Sequence, residues 1–478
     1  MGKPFYITTT LPYVNADPHI GFALEIVQAD IVARYHTLRG DEVFFNTGTD
    51  EHGLKIFRKA KDEGKDTQAY VDEYAAKFRM LKDRLELSPE LHFIRTTDPA
   101  HKLAAQELWR RCLKAGDIYK KKYKGLYCVG DEAFLKETDL VNGKCPNHPT
   151  MDPIEIEEEN YFFKLSRFQE PLVQYLSREG VIVPEWRRIE ALNFVQKGLE
   201  DFSVSREKAR MSWGIPVPDD ESQVMYVWFD ALTNYISTLG WPTDREGDFK
   251  KYWQEGETLQ LAGKDQVRFQ SIIWQAMLMS AELPTTQRVV YHGFITSGGQ
   301  KMSKSIGNVI DPYKVIQEYG ADALRFYLAR HIHPFEDSDF TMEKFKESYN
   351  ADLANGLGNL AARIMKLAET NLPAPISRPE PGSFSVEYTD ALDHYDYNAA
   401  TDCIWKKISE LDGRLTSEKP FALVKSAPGK GRAMIAEFAT ELYIIARLLQ
   451  PIMPATSDAI KAAVLANKKP ENLFPRKE

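Results

Sequence analysis

The fold class can be inferred from residues 5–47, FYITTTLPYVNADPHIGFALEIVQADIVARYHTLRGDEVFFNT. Residues 5–10 are β-branched and aromatic, which predicts a buried strand, and residues 42–47 predict a second strand. Between them, apolar side chains recur every three or four positions over residues 20–38, as on one face of a helix that Gly40 ends. A strand, a helix and a strand in this order predict an α/β protein with a parallel sheet.

The same pattern returns later in the chain. Residues 259–262 and 288–296 predict strands, with a helix at 265–283 between them. The intervening residues 116–222 contain two of the four cysteines and the acidic run 155–159, a change in composition that indicates an insertion.

Strand patterns fade after residue 346. Apolar residues recur at helical spacing over 353–367, 391–411 and 431–449. The dinucleotide-like string GLGNLA at 356–361 follows no strand and lies inside this helical run, so we interpret it as helix. The last third of the chain is therefore predicted to be an all-helical bundle.

The composition excludes several classes of protein. The chain has 478 residues, of which 43% are hydrophobic and 27% charged, and its net charge of −8 argues against sequence-independent binding to bulk nucleic acid. A local basic run at 120–124 remains compatible with a partner. Four cysteines cannot form a disulfide framework, and no apolar run is long enough for a membrane helix. No signal peptide is visible, so we expect a cytoplasmic protein without a membrane partner.

Two short motifs carry residues suited to phosphate. PHIGF at 18–22 lies where the loop after the first strand meets the helix, and a helix N-terminus offers free N–H groups and a positive dipole end. KMSKS at 301–305 follows a glycine-containing segment, and two lysines on such a loop suit the charge that develops in nucleotidyl transfer. Taken singly, each motif is also compatible with an ordinary helix start or a solvated loop.

Together these two motifs make the chain resemble the class I aminoacyl-tRNA synthetases. Further strings narrow the resemblance to the methionyl-tRNA synthetase family: TLPY at 10–13, TGTDEHG at 47–53, YVWFDA at 226–231, GKD at 263–265, and Trp274. The resemblance covers essentially the whole chain. It implies a Rossmann-like catalytic domain (1–115 and 223–290) split by a connective insertion (116–222), then a stem-contact segment with the KMSKS loop (291–345) and an all-α anticodon-binding domain (346–478).

The resemblance also implies an activity and its residues. Methionine would be activated with ATP to methionyl-adenylate and pyrophosphate, and the methionyl group then passed to the 3′ end of tRNA(Met), with Mg²⁺ accompanying ATP. The positions that match catalytic, phosphate-handling residues of the family are His19, Lys301 and Lys304. ATP-binding positions of the family are matched by these three and by Gly21, Glu25, Gly263, Asp265 and Ser303.

The methionine pocket can be argued from chemistry as well. Because the methionine side chain is apolar and uncharged, its pocket should be apolar and aromatic. The matching positions are Leu11, Tyr13, Asp50, Trp228, Ala231, Tyr235, Gln270 and Trp274, with Asp50 expected to hold the substrate ammonium. From the residues alone, core packing of the two tryptophans and a helix cap at Asp50 are the alternatives.

The sequence departs from the family pattern at several positions. Phe22 stands where the family usually has a second His, and Gln270 stands where better-known members have a His near the methionine sulfur. Gln266 replaces an apolar residue. Two alternatives therefore stay open: a sister class I synthetase for another apolar amino acid, and a non-catalytic tRNA-binding paralogue. The short insertion disfavours the former and the intact KMSKS string the latter.

Two further groups of residues complete the predicted sites. Cys128 and Asp131, with Cys145 and His148, form two short knuckles typical of structural zinc. Because related enzymes have Cys at the position of Asp131, a metal-free knuckle is the alternative. Asn359, Arg363 and Phe421 match the family's anticodon contacts, with a core aromatic as the alternative for Phe421. The chain ends soon after the bundle, which favours a monomer.

Overall fold

The computed structural model describes residues 2–130, 133–135, 137–146, 148–244, 246–302, 307–380 and 382–478. The strands are β1 (Pro4–Thr8), β2 (Glu42–Thr49), β3 (Leu91–Arg95), β4 (Ile118–Cys128), β5 (Ala133–Leu135), β6 (Ile154–Phe163), β7 (Ile182–Val183), β8 (Phe202–Ser203), β9 (Ser205–Glu207), β10 (Pro216–Val217), β11 (Asp220–Met225), β12 (Glu257–Gly263), β13 (Arg288–His292), β14 (Ile295–Ser297), β15 (Gln300–Lys301) and β16 (Ser338–Asp339).

The α-helices are α1 (Ile20–Arg39), α2 (Leu54–Asp62), α3 (Thr67–Arg79), α4 (Leu81–Arg84), α5 (Pro99–Lys114), α6 (Gln169–Leu176), α7 (Glu185–Gln196), α8 (Val227–Leu232), α9 (Asn234–Ser237), α10 (Trp274–Ser280), α11 (Pro312–Tyr319), α12 (Ala321–Arg330), α13 (Met342–Ser348), α14 (Asn359–Asn371), α15 (Val386–Asp393), α16 (Tyr397–Glu418), α17 (Pro420–Ser426), α18 (Pro428–Leu449) and α19 (Pro454–Ala466). Short 3₁₀ turns lie at Glu137–Asp139, Leu165–Phe168 and Lys264–Gln266, and π-helical turns at Phe249–Gln254, Phe269–Ile273 and Tyr349–Gly358.

The predicted parallel sheet is confirmed. Its six strands have the order β3-β2-β1-β12-β13-β7, and β1 pairs in parallel with both β2 and β12. The next strand along the chain, β2, pairs on one side of β1. On the other side of β1 lies β12, which is distant in sequence. Ligand crevices of open parallel sheets lie outside the carboxyl ends of the strands at such a reversal of strand order.

Two compact units make up the chain. The first, here the sheet unit, consists of Met1–Pro18, Gly40–Met80 and Pro89–Tyr291. The second, here the helical unit, consists of His19–Arg39, Leu81–Ser88 and His292–Glu478. A core of buried aromatic and aliphatic side chains, including Trp109, Trp241, Trp253 and Trp274, fills the sheet unit.

The predicted insertion forms small antiparallel sheets. Strands β5-β4-β6-β8 make one sheet and β10-β11-β9 another. One part of residues 116–222 returns to the parallel sheet, however, because Ile182 and Val183 of β7 pair with Val289 and Val290 of β13.

Two predicted elements are interrupted. The strand expected at 288–296 breaks at Gly293, where a Cβ would lie 2.1 Å from the backbone of Glu336, so this close approach requires glycine. The helix expected at 391–411 is divided into α15 and α16, and Tyr395 between them has a φ of 61°. The GLGNLA string is helical, as expected. No helix among the described residues is long and apolar enough to span a membrane.

Candidate active site and tRNA-binding residues

A small cavity lies beyond the carboxyl end of β1. It has a volume of about 190 Å³, and five of the predicted methionine residues line it: Leu11, Tyr13, Trp228, Ala231 and Tyr235. The remaining lining comes from Thr10, Pro12, Leu232, Asn234 and Gln266. The loop after β1 and the helices α8 and α9 therefore bring sequence-distant apolar side chains to one place.

Aromatic contacts hold the wall of this cavity. The Tyr13 ring meets Trp228 edge-on at 6.4 Å between centroids, and Trp228 stacks on Phe269 at 3.9 Å. Phe269 was not among the predicted residues, although it directly precedes Gln270 in the chain. The stacked contact with Phe269 and the T-shaped contact with Tyr13 leave the Trp228 indole with little freedom to move.

Two predicted pocket residues lie behind the lining. Trp274 is fully buried, and its ring meets the Tyr235 ring at 5.7 Å. Gln270 is 1% exposed, and its Nε2 donates to the Tyr235 hydroxyl at 2.5 Å. Both side chains therefore contact the cavity lining through Tyr235.

Asp50 follows the carboxyl end of β2 and is 2% exposed. Its backbone forms a bridge with Tyr13, because Asp50 N donates to Pro12 O at 3.0 Å and Val14 N donates to Asp50 O at 3.3 Å. The segment that carries the Asp50 carboxylate is thus tied to the loop that lines the cavity.

The neighbours of Asp50 are strongly anchored. Arg95 Nε and Nη2 donate to the two carboxylate oxygens of Glu51 at 2.7 and 2.9 Å. One residue beyond Glu51, His52 Nδ1 lies 2.7 Å from Oδ2 of the buried Asp230. Sequence reasoning assigned neither His52 nor Asp230, although both lie within strings that carried the family resemblance.

Residues after β12 complete the same edge of the sheet. Gly263 is the last residue of β12, and Asp265 lies in the 3₁₀ turn that follows. The Gln266 side-chain amide donates to Asp265 Oδ2 at 3.0 Å. Gly263 and Asp265, two of the predicted ATP-binding residues, thus lie at the end of the strand that pairs with β1.

The helical unit carries the first phosphate motif at the start of α1. Gly21 N donates to the ring Nδ1 of His19 at 3.1 Å, and a Cβ at Gly21 would lie 3.0 Å from that ring. Phe22 is 8% exposed and contributes to the core. Glu25 accepts a hydrogen bond from His292 Nε2 at 3.0 Å, a buried contact that the sequence analysis missed.

The second phosphate motif is described in part. Lys301 is in β15, where its backbone pairs with Thr296 of β14. Ser303 and Lys304 lie outside the described residues, as does the side chain of Lys301. Their predicted roles remain predictions.

The predicted anticodon residues come together in the helical unit. Asn359 and Arg363 of α14 and Phe421 of α17 line one open groove of about 540 Å³, with Lys366 and Lys469 beside them. Arg363 Nη1 donates to Asp412 Oδ1 at 2.5 Å. Phe421 is 51% exposed, so its ring is open to a stacking partner and is not a core aromatic.

Three predicted metal ligands form a cluster. The ligand atoms of Cys128, Cys145 and His148 lie within 4.8 Å of one another. His148 Nδ1 is 3.7 Å from Cys128 Sγ and 4.0 Å from Cys145 Sγ. Zinc bond lengths place S and N ligands of a tetrahedral site about 3.6 Å apart, so these residues fit the ion. Asp131 lies outside the described residues.

Comparison with known proteins agrees with this geometry. The family model for tRNA synthetases class I (M) matches residues 5–154 and 149–365. The methionine–tRNA ligase of Brucella suis is 39% identical over 98% of this chain and 93% of its own length, and that of Thermotoga maritima is 40% identical over 98% and 76%. The structure of Mycobacterium tuberculosis methionyl-tRNA synthetase with methionyl-adenylate is 35% identical, covers 100% of this chain and 99% of its own, and has a TM-score of 0.88.

The parallel sheet and the family match together define a class I tRNA synthetase. Within that class, the chain belongs to the methionine–tRNA ligase family. The expected fold class, enzyme class and reaction are thereby confirmed: the chain is an ATP-dependent ligase that joins methionine to tRNA. The alternative of a sister synthetase for another apolar amino acid is not supported.

Proposed function

We propose that the cavity beyond β1 is the methionine pocket of this ligase. The observation that carries the proposal is the convergence of Leu11, Tyr13, Trp228, Ala231 and Tyr235 on one small apolar space, with Asp50 bridged to Tyr13. An apolar, aromatic wall suits the polarizable thioether, and the carboxylate of Asp50, whose backbone bridges to Tyr13 of that wall, suits the ammonium. Gln270 and Trp274 support the pocket through Tyr235.

The first step follows from this placement. A carboxylate oxygen of methionine attacks the α-phosphorus of ATP, the bond from that phosphorus to the bridging oxygen breaks, and pyrophosphate leaves. In the second step a terminal ribose hydroxyl of tRNA(Met) attacks the methionyl carbonyl, and AMP leaves. Orientation and stabilisation of phosphate charge account for the catalysis, without a covalent enzyme intermediate.

The phosphate-handling roles are assigned to three side chains, His19, Lys301 and Lys304. Gly21, Glu25, Gly263, Asp265 and Ser303 are assigned to ATP binding as well. Gly263 and Asp265 support this assignment because they lie at the carboxyl edge of the sheet. Mg²⁺ with ATP is part of the proposal, since divalent ions neutralise the charge on nucleotide phosphates.

Two binding sites lie away from the chemistry. We assign Asn359, Arg363 and Phe421 to the tRNA anticodon, because an exposed ring beside cationic side chains suits an unstacked base. Cys128, Cys145 and His148 would hold a structural zinc ion, with Asp131 as the fourth ligand. Zinc there would cross-link the segment and supply no chemistry to the reaction.

The remaining assignments concern the whole protein. We propose a monomer that acts in the cytoplasm, with the catalytic halves at 1–115 and 223–290, the insertion at 116–222, the stem-contact segment at 291–345 and the anticodon domain at 346–478. The small antiparallel sheets within 116–222 support the insertion, and the helices after residue 346 support the last domain.

ATP–pyrophosphate exchange without tRNA, run with each of the twenty amino acids, tests the pocket. Exchange driven by methionine alone is expected and would show that Phe22 and Gln270 are compatible with activation. Exchange with a different amino acid would overturn the pocket assignment. No exchange from folded protein would overturn the assigned activation step and point to the missing His at position 22.

A further inference from the structure

A buried carboxylate in the sheet unit contacts two imidazoles. Asp230, on α8, is fully buried; its Oδ2 lies 2.7 Å from His52 Nδ1 and its Oδ1 lies 2.8 Å from His101 Nε2. His101 Nδ1 is in turn 2.9 Å from the Ser237 hydroxyl. Both oxygens of Asp230 therefore have an imidazole partner, and both histidines are buried as well.

Asp230 is ionised at neutral pH. Burial by itself raises the pKa of Asp230, but the charge of His52 and the hydrogen bonds from His101 and His52 outweigh burial, so this pKa lies below its ordinary value. A carboxylate only accepts hydrogen bonds, so His52 Nδ1 and His101 Nε2 both donate. Burying this charge costs folding free energy. The role best attested for such a buried polar contact is to specify one arrangement of the elements that it joins.

The two imidazoles join Asp230 to different elements. His52 is two residues after Asp50, and Glu51 between them is held by Arg95. His101 is on α5, which does not line the cavity. Asp230 itself lies between Trp228 and Ala231, two residues of the pocket wall. Of the two imidazole contacts of Asp230, the one through His52 links the Asp50 segment to that wall, beside the backbone bridge from Asp50 to Tyr13.

We propose that His52 and Asp230 are positioning residues, which set the separation between the Asp50 carboxylate and the apolar wall made by Trp228 and Ala231. The inference rests on the proposed function, since Asp50 must hold the ammonium. The His52–Asp230 hydrogen bond fixes the distance between the Asp50 carboxylate and the apolar wall. An amino acid contacts both only when its ammonium and its side chain are separated by a matching distance. Recognition of the ammonium and of the thioether is thereby coupled.

Replacing His52 by Asn and by Gln tests this role, because the two side-chain amides differ in length. The side-chain nitrogen of Asn falls near the Nδ1 position of a His, whereas that of Gln falls near Nε2. His52→Asn therefore keeps the donor that Asp230 accepts, and His52→Gln displaces it. His101→Asn is the matched control, since His101 donates from Nε2 and this variant displaces the donor on the other oxygen of the same carboxylate.

The measurement is the ratio of calorimetric dissociation constants for methionine and for its 2-hydroxy analogue, which lacks the ammonium. In His52→Gln we expect methionine to lose about tenfold in affinity and the analogue little, because a charged contact is misplaced. His52→Asn and His101→Asn should keep the wild-type ratio, even where their melting temperatures fall. A wild-type ratio in His52→Gln, or equal changes in His52→Gln and His101→Asn, would overturn the proposal.

Asp50→Asn separates this inference from the proposed function. If Asp50 holds the ammonium, this variant should bring the affinity for methionine close to that for the analogue. A wild-type ratio in Asp50→Asn would refute the assignment of Asp50, and with it the pocket. If Asp50→Asn loses the preference for methionine over the analogue while His52→Gln keeps the wild-type preference, only the positioning role is refuted.

Discussion

In the proposed methionine pocket, Trp228 stacks on Phe269 and makes an edge-to-face contact with Tyr13. We expect Trp228→Ala to raise the KM for methionine in pyrophosphate exchange by at least about tenfold, since a large apolar contact surface is lost. The KM for ATP should change little. Trp186→Ala is the matched control, since Trp186 is 47% exposed on α7; similar effects of the two changes would contradict the pocket.

Asp322, in the helical unit, is a buried carboxylate whose Oδ2 accepts from Thr456 N near the start of α19. Burial raises the pKa of Asp322 to about 6, and the hydrogen bonds from Thr456 and the charge of Arg325 offset only part of this effect. Because this value exceeds the ordinary 3.8, the contribution of Asp322 to stability is complete below about pH 4 and is lost as the pH rises through about 6.

We therefore expect the wild type to lose about 2–3 kcal/mol of unfolding free energy through this group between pH 4 and pH 7. Asp322→Asn should lack that contribution, so the difference between variant and wild type should change with pH in this window. Urea unfolding at several pH values measures it. Asp458→Asn, at a 68% exposed position on α19, is the control; parallel pH profiles of wild type and Asp322→Asn would refute the argument.

At the scale of elements, Arg325 on α12 joins several parts of the helical unit. Its Nη2 lies 2.7 Å from Asp30 Oδ2 on α1, and the guanidinium also donates to the carbonyl oxygens of Leu85, Pro451 and Ile452. Arg325 and Asp30 are both fully buried. Loss of the Arg325 guanidinium would leave Asp30 paired with Arg34, at 2.7 Å, but would remove one charge from a buried network and the donor to three carbonyl oxygens.

Arg325→Met should therefore cost about 3–5 kcal/mol of unfolding free energy, measured by denaturant titration. Arg39→Met provides the matched control, because Arg39 pairs with Asp393 at the surface, where both side chains are more than 40% exposed. Breaking that exposed pair should cost about 1 kcal/mol or less. Equal losses of unfolding free energy in the two variants would show that burial of the Arg325 pair contributes nothing to stability.

The antiparallel pair of strands β4 and β6 explains the basic run at 120–124. In its register Lys122 lies opposite Glu159 and Lys124 opposite Glu157, and Lys124 also forms an ion pair with Glu155. Cross-strand pairs of opposite charge stabilise a sheet. The basic run at 120–124 is thus balanced by the acidic run on the neighbouring strand β6.

The metal prediction belongs to the same part of the chain. We expect the purified protein to contain about one zinc ion per chain, bound by Cys128, Cys145 and His148. Cys145→Ser should lower the zinc content measured by mass spectrometry and the melting temperature, because metal binding is coupled to folding. Cys403→Ser, on α16, should change neither metal content nor stability. Protein that is folded and free of zinc would establish the metal-free knuckle.

At the scale of the whole molecule, the groove at Phe421 predicts that tRNA recognition can be separated from activation. Phe421→Ala should raise the KM for tRNA(Met) in aminoacylation by about five- to 150-fold, because stacking on one base is worth about 1–3 kcal/mol. Methionine-dependent pyrophosphate exchange should be unchanged. Phe194→Ala is the control, since Phe194 is 41% exposed on α7; a fall in exchange in Phe421→Ala would refute the anticodon assignment.

Local patterns predicted much of the fold. The periodicities of residues 5–47 predicted β1, α1 and β2, and those after residue 346 predicted the helical bundle, because amphipathic spacing is a property of the chain itself. The motif strings were sufficient for the family. The breaks at Gly293 and Tyr395 were not predicted, because a close backbone approach or a single positive φ leaves the surrounding periodicity of apolar residues intact.

By itself, the sequence determined the strand–helix–strand order of residues 5–47, the parallel sheet, the helical last third and the membership of the methionine–tRNA ligase family. Only the tertiary structure showed that Asp230 joins His52 to His101, that His292 meets Glu25 and that Arg325 pairs with Asp30. The partners in these contacts are between 129 and 295 residues apart by their numbering. A buried polar group takes its partner from whatever the packing of whole elements brings within hydrogen-bond reach, and no local spacing in the sequence records that choice.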